Sequence, residues 1–321
     1  MALQTFFSCN AQSNFGTDHL QLIKTITLPG VKGRIDHLDV DLKDQIVYVA
    51  ALGNNTCKVV DIQNEKVVHT ISGLDEPQGV AYIPQQHEIF IANGGNGDCY
   101  FYNADNFEKT GTIPLGSDAD DVRYDSSDKK IFVGYGSGGI AIIDAVNHKQ
   151  IADVKLPGHP ESFQIDKSLK RLFVNVPDAK TVAVIDLETN KLIAKWPNTK
   201  AEANFPMSLD SDRHIVFIGC RHPAKLIAKD GNTGNEIAVA SLTGDSDDLY
   251  FDDQSKQIIA SGGEGYISIF NTEGKAINQI ANIKSRNGAR TSLLISPIRV
   301  FVVAARSQSG NEAALLVYKI K

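Results

Sequence analysis

Gly33–Gly73, GRIDHLDVDLKDQIVYVAALGNNTCKVVDIQNEKVVHTISG, is the unit on which the rest of the chain is built. Within it, Ile46–Val49 and Lys58–Ile62 are short β-branched and aromatic runs parted by a Gly-Asn-Asn turn. Glu65–Ile71 supplies a further run after an Asn-containing turn. With Ile35–Val40 in front, the unit reads as four strands joined by tight connections, which is one blade of a β-propeller.

The second run recurs as VYVAA from Val47, IFIAN from Ile89, IFVGY from Ile131, LFVNV from Leu172, VFIGC from Val216, IIASG from Ile258 and VFVVA from Val300. The spacings between these starts are 42, 42, 41, 44, 42 and 42 residues. A period this regular marks an array of supersecondary units that bury their faces only against their neighbours. The third run keeps the same ruler and ends at Asp61, Asn103, Asp144, Asp186, Asp230 and Asn271, where the side chain can bond its own backbone and open a hairpin turn.

The seventh unit stops at Lys321 without a fourth strand. His19–Gly30, HLQLIKTITLPG, matches the fourth strand Gln150–Gly158, QIADVKLPG, down to the shared Leu-Pro-Gly. The expected fold is therefore an all-β, seven-bladed propeller of four-stranded antiparallel blades, closed by an N-terminal strand that completes the last blade and removes open edges. The expected boundaries are a tail over 1–17 and one propeller domain over 18–321. Met1–Cys9, MALQTFFSC, resembles the end of a bacterial lipoprotein signal with a lipid-carrying Cys9, although it lacks a basic region and a full apolar run. The alternative is a plain tail.

The formal charge of −6 argues against a nucleic-acid partner, because phosphate binding needs a concentrated basic surface and Lys and Arg are scattered. No run approaches the 18 or so apolar residues of a transmembrane helix. Four cysteines make no disulfide framework in 321 residues. Cys57, Cys99 and Cys220 read as small buried hydrophobes.

These runs, with GRIDHLDVD at Gly33, EPQGVAYIP at Glu76, GHPESFQID at Gly158, ANFPMSLD at Ala203 and GARTSLLI at Gly288, resemble the YVTN-repeat propellers, specifically the YncE-like, gluconolactonase-like group of bacterial envelope proteins. The resemblance spans Leu20–Lys321 and implies a monomeric propeller in the periplasm or at the cell surface. The Trp-Asp dipeptide of WD repeats is absent.

Chemistry in a propeller belongs to the central channel and to the loops that lead into the first strands. Those loops differ from blade to blade while the strands behind them repeat. They carry Asp36, Glu76, Asp118, Asp120, Asp121, Glu161, Asp245, Asp247 and Asp248 against Arg34 and Arg290, with His37 and His159 among them. Converging carboxylates raise one another's pKa or recruit a cation; singly, each Asp also suits a turn cap. The catalytic candidates are His37, His159 and Arg290, and the ligand-binding candidates are Arg34, Asp36, Gln78, Glu161, Asn204, Arg221, His222 and Arg306. The arginines are placed either to clamp an anion or to pair with the carboxylates. Asp121, Asp247 and Asp248 are the candidate ligands for Ca²⁺ or Mg²⁺, which oxygen donors from a ring of loops can hold without fixed spacing.

No GxSxG elbow, CxxC or HExxH is present. Two functions compete. The first is a binding propeller that takes a small molecule or a protein on its charged channel face. The second is a lactonase- or lyase-type enzyme with a His general base and an Arg or divalent cation opposite the developing charge. On the reading that the carboxylates serve a ligand, Asp121→Asn and Asp248→Asn are expected to cost no stability.

Overall fold

A strand covered on both faces needs apolar residues at every position rather than at alternate ones. The second strands meet that condition. In the computed structural model, which describes residues 18–274, 276–308 and 310–321, Val47, Val49 and Ala51 pack towards the seventh blade, and Tyr48 packs between Ile89, Ile91 and Tyr82 of the second. The same division holds around the chain. Each of seven apolar clusters draws its residues from two consecutive blades, so the core is a set of seven interfaces.

The strands form seven four-stranded antiparallel sheets. Their innermost members are Leu38–Asp41, Pro77–Ile83, Ala119–Asp125, Phe163–Asp166, Glu202–Asp210, Ser246–Asp252 and Thr291–Ile295. Each of these touches the innermost strands on either side, including the seventh against the first, so the array is a closed ring around a channel. The N-terminal strand Leu20–Thr27 closes it by pairing antiparallel with Ala314–Ile320. Its side chains serve both interfaces of that blade: Leu20 joins the cluster with the sixth blade, and Ile26 with the following Leu28 joins the cluster with the first.

Three local devices repeat with the period. The Asp or Asn that ends the third strand accepts backbone N–H groups of the turn after it, as Asp61 does from Gln63 and Asn64 and Asp186 does from Glu188 and Thr189. The residue before each second strand, from Gln45 to Arg299, is left-handed at φ 52–54°. Its carbonyl accepts an N–H from the end of the third strand, as Gln45 does from Ile62 and Arg299 does from Ile320. The fourth strands each carry a bulge. The bulge leaves one residue unpaired and turns it outward, which explains why Ile23, Val68, Ile151 and Ile193 are 44–53% exposed on otherwise well-packed strands. A bulged outer strand also discourages edge-to-edge pairing.

Five innermost strands end in Asp, which caps the next turn, and three of these carboxylates also reach the following blade. Lys167 bonds Asp125, His214 Nδ1 lies 2.8 Å from Asp166, and Arg299 lies 2.6 Å from Asp252. Cys57, Cys99 and Cys220 are buried free thiols. Cys57 and Cys99 sit in successive blade interfaces, as their spacing predicts, and burial pushes Cys57 up to about 12. Cys9 lies outside the described residues.

Ile26→Ala should destabilise the protein by about 2–5 kcal/mol, whereas Ile23→Ala, on the outward bulge of the same strand, should cost under about 1 kcal/mol. Urea unfolding measures both. Removal of residues 19–30 should abolish the single cooperative transition. Equal effects of the two substitutions, or an unchanged transition in the truncated chain, would contradict closure by this strand.

Candidate functional site

The innermost strands start irregularly where they meet the channel mouth. Glu76, Asp118, Ala203 and Asp245 have φ of 41–55°. Bulges follow directly, between Pro77 and Val80, Ala119 and Val122, Asn204 and Met207, and Ser246 and Asp248. The left-handed residues are held by their carbonyls, which accept N–H groups of Gly94, Gly136 and Gly263 onto Glu76, Asp118 and Asp245 at 2.8–3.0 Å. Non-glycine residues in this region cost energy, and bulges re-aim side chains. Here both devices turn the start of the strand into the mouth.

The result is a regular register. Counting back five residues from the last residue of each innermost strand gives Asp36, Gln78, Asp120, Glu161, Phe205, Asp247 and Arg290, one from each blade. All seven line one cavity of about 590 Å³ at the mouth. Counting back two gives Asp39, Ala81, Arg123, Gln164, Ser208, Tyr250 and Leu293, which line a second cavity of about 360 Å³ further down the channel. His37 borders both. Its Nε2 is 3.9 Å from Asp36 and 3.8 Å from Asp120, and its Nδ1 is 3.5 Å from Asp248, so one imidazole sits among carboxylates of three blades.

Nine of the fourteen candidate catalytic, ligand-binding and metal residues line the mouth, His37, His159, Arg290, Arg34, Asp36, Gln78, Glu161, Arg221 and Asp247, together with the loop carboxylates Glu76, Asp118 and Asp120. The others lie elsewhere. Asn204 is fully buried and donates to Asn175 Oδ1 at 2.9 Å and to the Thr181 carbonyl at 3.0 Å, tying blade 5 to blade 4. His222 is exposed at the far end of its strand. Arg306 lines a separate surface depression with Lys284 and Arg286, so it cannot clamp a ligand together with Arg221. Asp121 and Asp248 sit one residue below the mouth ring. Asp121 pairs with Arg123 and accepts the Phe163 N–H at 3.3 Å; Asp248 accepts the Ser292 N–H at 2.7 Å. Each thus bonds the backbone of the next blade, as Asp39 does with the Tyr82 N–H at 2.7 Å.

Asp121, Asp247 and Asp248 therefore do not converge on one point. The trio whose donor atoms do converge, all within 4.8 Å of one another, is Asp120, His159 and Glu161. Sequence reasoning placed Asp120 in the loops but not among the ligands. The five-residue count from the end of the strand is the signal that selects it over Asp121.

The arginines are largely engaged. Arg34 is 3.0 Å from Asp36; Arg290 reaches Asp247 at 2.5 Å and Asp245 at 3.2 Å; Arg221 pairs with Asp247 and stacks over Phe205 at 3.6 Å. The mouth as a whole carries six carboxylates (Asp36, Glu76, Asp118, Asp120, Glu161 and Asp247) against three arginines (Arg34, Arg221 and Arg290). Burial raises Asp36 to about 7, with Asp120 and Asp247 adding to it against His37 and Arg34. Burial likewise holds Glu161 well above the usual carboxylate range, and Asp120 adds to it. Burial alone would lower His159, but Asp120, the Gly136 carbonyl, Asp118 and Glu161 carry it up to about 9. His37 is also buried, yet Asp248, Asp121 and Asp36 hold it well above the ordinary histidine value.

No family model matches the sequence, and no curated protein matches it. Among solved structures, 1777 chains match, too many for the likeness to point to any one activity. One of them, from the "Crystal Structure of Mitotic Checkpoint Complex", superposes with a TM-score of 0.79 at 15% identity, over 100% of this chain and 96% of that one. The likeness shows the propeller fold alone.

Asp248→Ala should cost about 1–3 kcal/mol, because the buried Ser292 N–H loses its acceptor, whereas Glu76→Gln at the mouth should stay within about 0.5 kcal/mol. This replaces the sequence expectation of no cost at Asp248, and equal urea midpoints for the two variants would contradict it. Burial raises Asp39 from 3.8 to about 6, against the opposing Tyr82 N–H and Arg123. Its stabilising contribution is thus full below pH about 4 and lost as the pH rises through about 6. Thermal melts should show the parent losing stability relative to Asp39→Asn over that window and holding level above it. Parallel curves would contradict the assignment.

Proposed function

We propose that the protein is a binding propeller whose channel mouth takes a small, hydrophilic, positively charged ligand. One observation carries this reading. The mouth position has the same register in all seven blades, yet it holds unlike side chains: three Asp and one each of Gln, Glu, Phe and Arg. The structural positions behind it repeat instead, as the Asp and Asn hairpin caps do. A position kept only for turn capping or packing would repeat with them.

A cavity of about 590 Å³ is of small-molecule size. Its apolar lining is confined to Leu52 and Phe205, so the ligand should be polar over most of its surface. The charge balance gives its sign. Of the carboxylates that face the opening, Asp120 has no arginine or lysine paired with it among the described residues.

The same charge weighs against the enzymatic alternative. A general base must be neutral to accept a proton, and the carboxylates around His37 and His159 favour the protonated ring in both. They could act there as acids or as electrostatic partners. Membership of the YVTN-repeat, YncE-like group and a place in the cell envelope belong to this proposal through the sequence resemblance. A lipid at Cys9 would fit that setting.

Gln78→Trp places a large side chain in the mouth ring and tests the reading. Thermal shifts should be measured with a panel of amines, amino acids, sugars and sugar acids. Amines or amino acids should raise the Tm of the parent and leave the plugged variant unmoved. A panel that shifts neither protein, or both alike, would contradict a binding mouth.

A further inference from the structure

Two mouth carboxylates have a buried oxygen that accepts no hydrogen bond among the described residues, Asp120 Oδ1 and Asp247 Oδ2, but Asp247 Oδ2 lies 2.5 Å from Arg290 Nε in an ion pair. Asp120 is nine-tenths buried and lines the cavity, yet its Oδ1 accepts no hydrogen bond from the described residues. The nearest groups are imidazole nitrogens, at 3.8 Å from His37 Nε2 to Oδ1 and at 3.7 Å from His159 Nε2 to Oδ2, both too far for a hydrogen bond. A buried polar atom left this way costs free energy and calls for a partner.

His159 approaches the other oxygen of the same carboxylate, Oδ2, from the next blade. Its Nδ1 lies 2.6 Å from the Gly136 carbonyl, which can only accept, so Nδ1 carries a hydrogen in either protonation state, and an ion at Nε2 takes the place of the proton that the surrounding carboxylates favour there. A backbone carbonyl that fixes the far nitrogen of an imidazole is the usual second contact of a metal-binding histidine. Glu161, two residues further along, completes the group. One ligand atom from each of Asp120, His159 and Glu161 lies within 4.8 Å of the other two. Donors that share one ion at about 2.0–2.2 Å each lie at most about 4.4 Å apart, so a small rotation of the partly exposed Glu161 is enough to gather them.

We propose that Asp120, His159 and Glu161 bind a divalent first-row transition ion of the Zn²⁺ or Mn²⁺ kind at the channel mouth. The inference rests on the mouth being a binding site and specifies the cation that it takes. The nitrogen donor sets the class. Ca²⁺ and Mg²⁺ are bound by oxygen ligands, whereas imidazole with carboxylates suits the transition ions. Three protein donors leave positions open towards the cavity, so the ion could also present a small ligand to the mouth.

Titration calorimetry of the purified, metal-free chain with Zn²⁺ alone tests this, with Mn²⁺, Ca²⁺ and Mg²⁺ as comparisons. The expected result is one site per chain, with Zn²⁺ or Mn²⁺ bound at least about tenfold more tightly than Ca²⁺ or Mg²⁺. His159→Gln and Asp120→Asn should each weaken that site by about tenfold or more, and Glu236→Gln, exposed on an outer strand away from the mouth, should leave it unchanged. The visible spectrum with Co²⁺ gives a second readout, and His159→Gln should alter its bands even if the folded protein melts at a different temperature. Absence of a stoichiometric site, equal affinity for Ca²⁺, or insensitivity to both trio variants would overturn the proposal. Where small amines still bind the parent and not Gln78→Trp, the metal inference falls alone and the binding mouth stands.

Discussion

A blade of this protein cannot bury its own faces. Both sides of each central strand are apolar, and each finds cover only on the next blade, so the sheets are stable only as a closed ring. That requirement accounts for the unbroken apolar runs, for the seven two-blade clusters and for the use of the N-terminal strand as the outer member of the last blade. It also makes the channel. Seven innermost strands that must each meet two neighbours point one set of side chains at a common axis, and what those side chains are is left free by the packing behind them.

The division of labour between paired positions follows from that geometry. One residue below the mouth, Asp121 and Asp248 bond the backbone of the next blade, and deeper in the channel Asp39 does the same. Asp120 and Asp247, their immediate neighbours in sequence, turn into the cavity. Adjacent carboxylates thus serve opposite ends: one holds the ring, and the other faces the cavity, where Asp247 is paired with Arg221 and Arg290 and Asp120 is short of partners. Burying and crowding like charges at the mouth is costly to the fold, as the raised values of Asp36 and Glu161 show, and positions that cost stability without packing are where function is expected.

Much of this was legible before any coordinates. The period fixes the number of blades because it is a property of backbone length per unit, and the shared Leu-Pro-Gly of Leu28–Gly30 and Leu156–Gly158 identifies the strand that closes the ring. The Asp and Asn caps are local and so readable from local sequence. The mouth was readable only as a set of loops. Bulges at the starts of four innermost strands shift the register, and a slip of one residue sends a side chain to the other face. In an Asp-Asp pair nothing local says which member faces the cavity: the sequence singles out Asp121, Asp247 and Asp248, whereas Asp120 and Asp247 line the mouth. Asn204 lies outside the mouth for a related reason: both of its amide hydrogens go to Asn175 and Thr181 of the preceding blade, contacts 29 and 23 residues away in sequence. Arg306 belongs to a loop on the outer rim, and sequence spacing carries no measure of distance from the axis.

The central claim is that the blade interfaces make the fold and the mouth ring is held in place against the interest of stability. The most direct test is the thermal melt, at neutral pH and without added ligand, of one variant carrying Asp36→Asn, Asp120→Asn and Glu161→Gln together. Relief of burial and mutual repulsion should leave its Tm at or above that of the parent. A fall of several degrees in a protein that still unfolds in one step would mean that these carboxylates hold the ring together, and that the mouth is part of the scaffold.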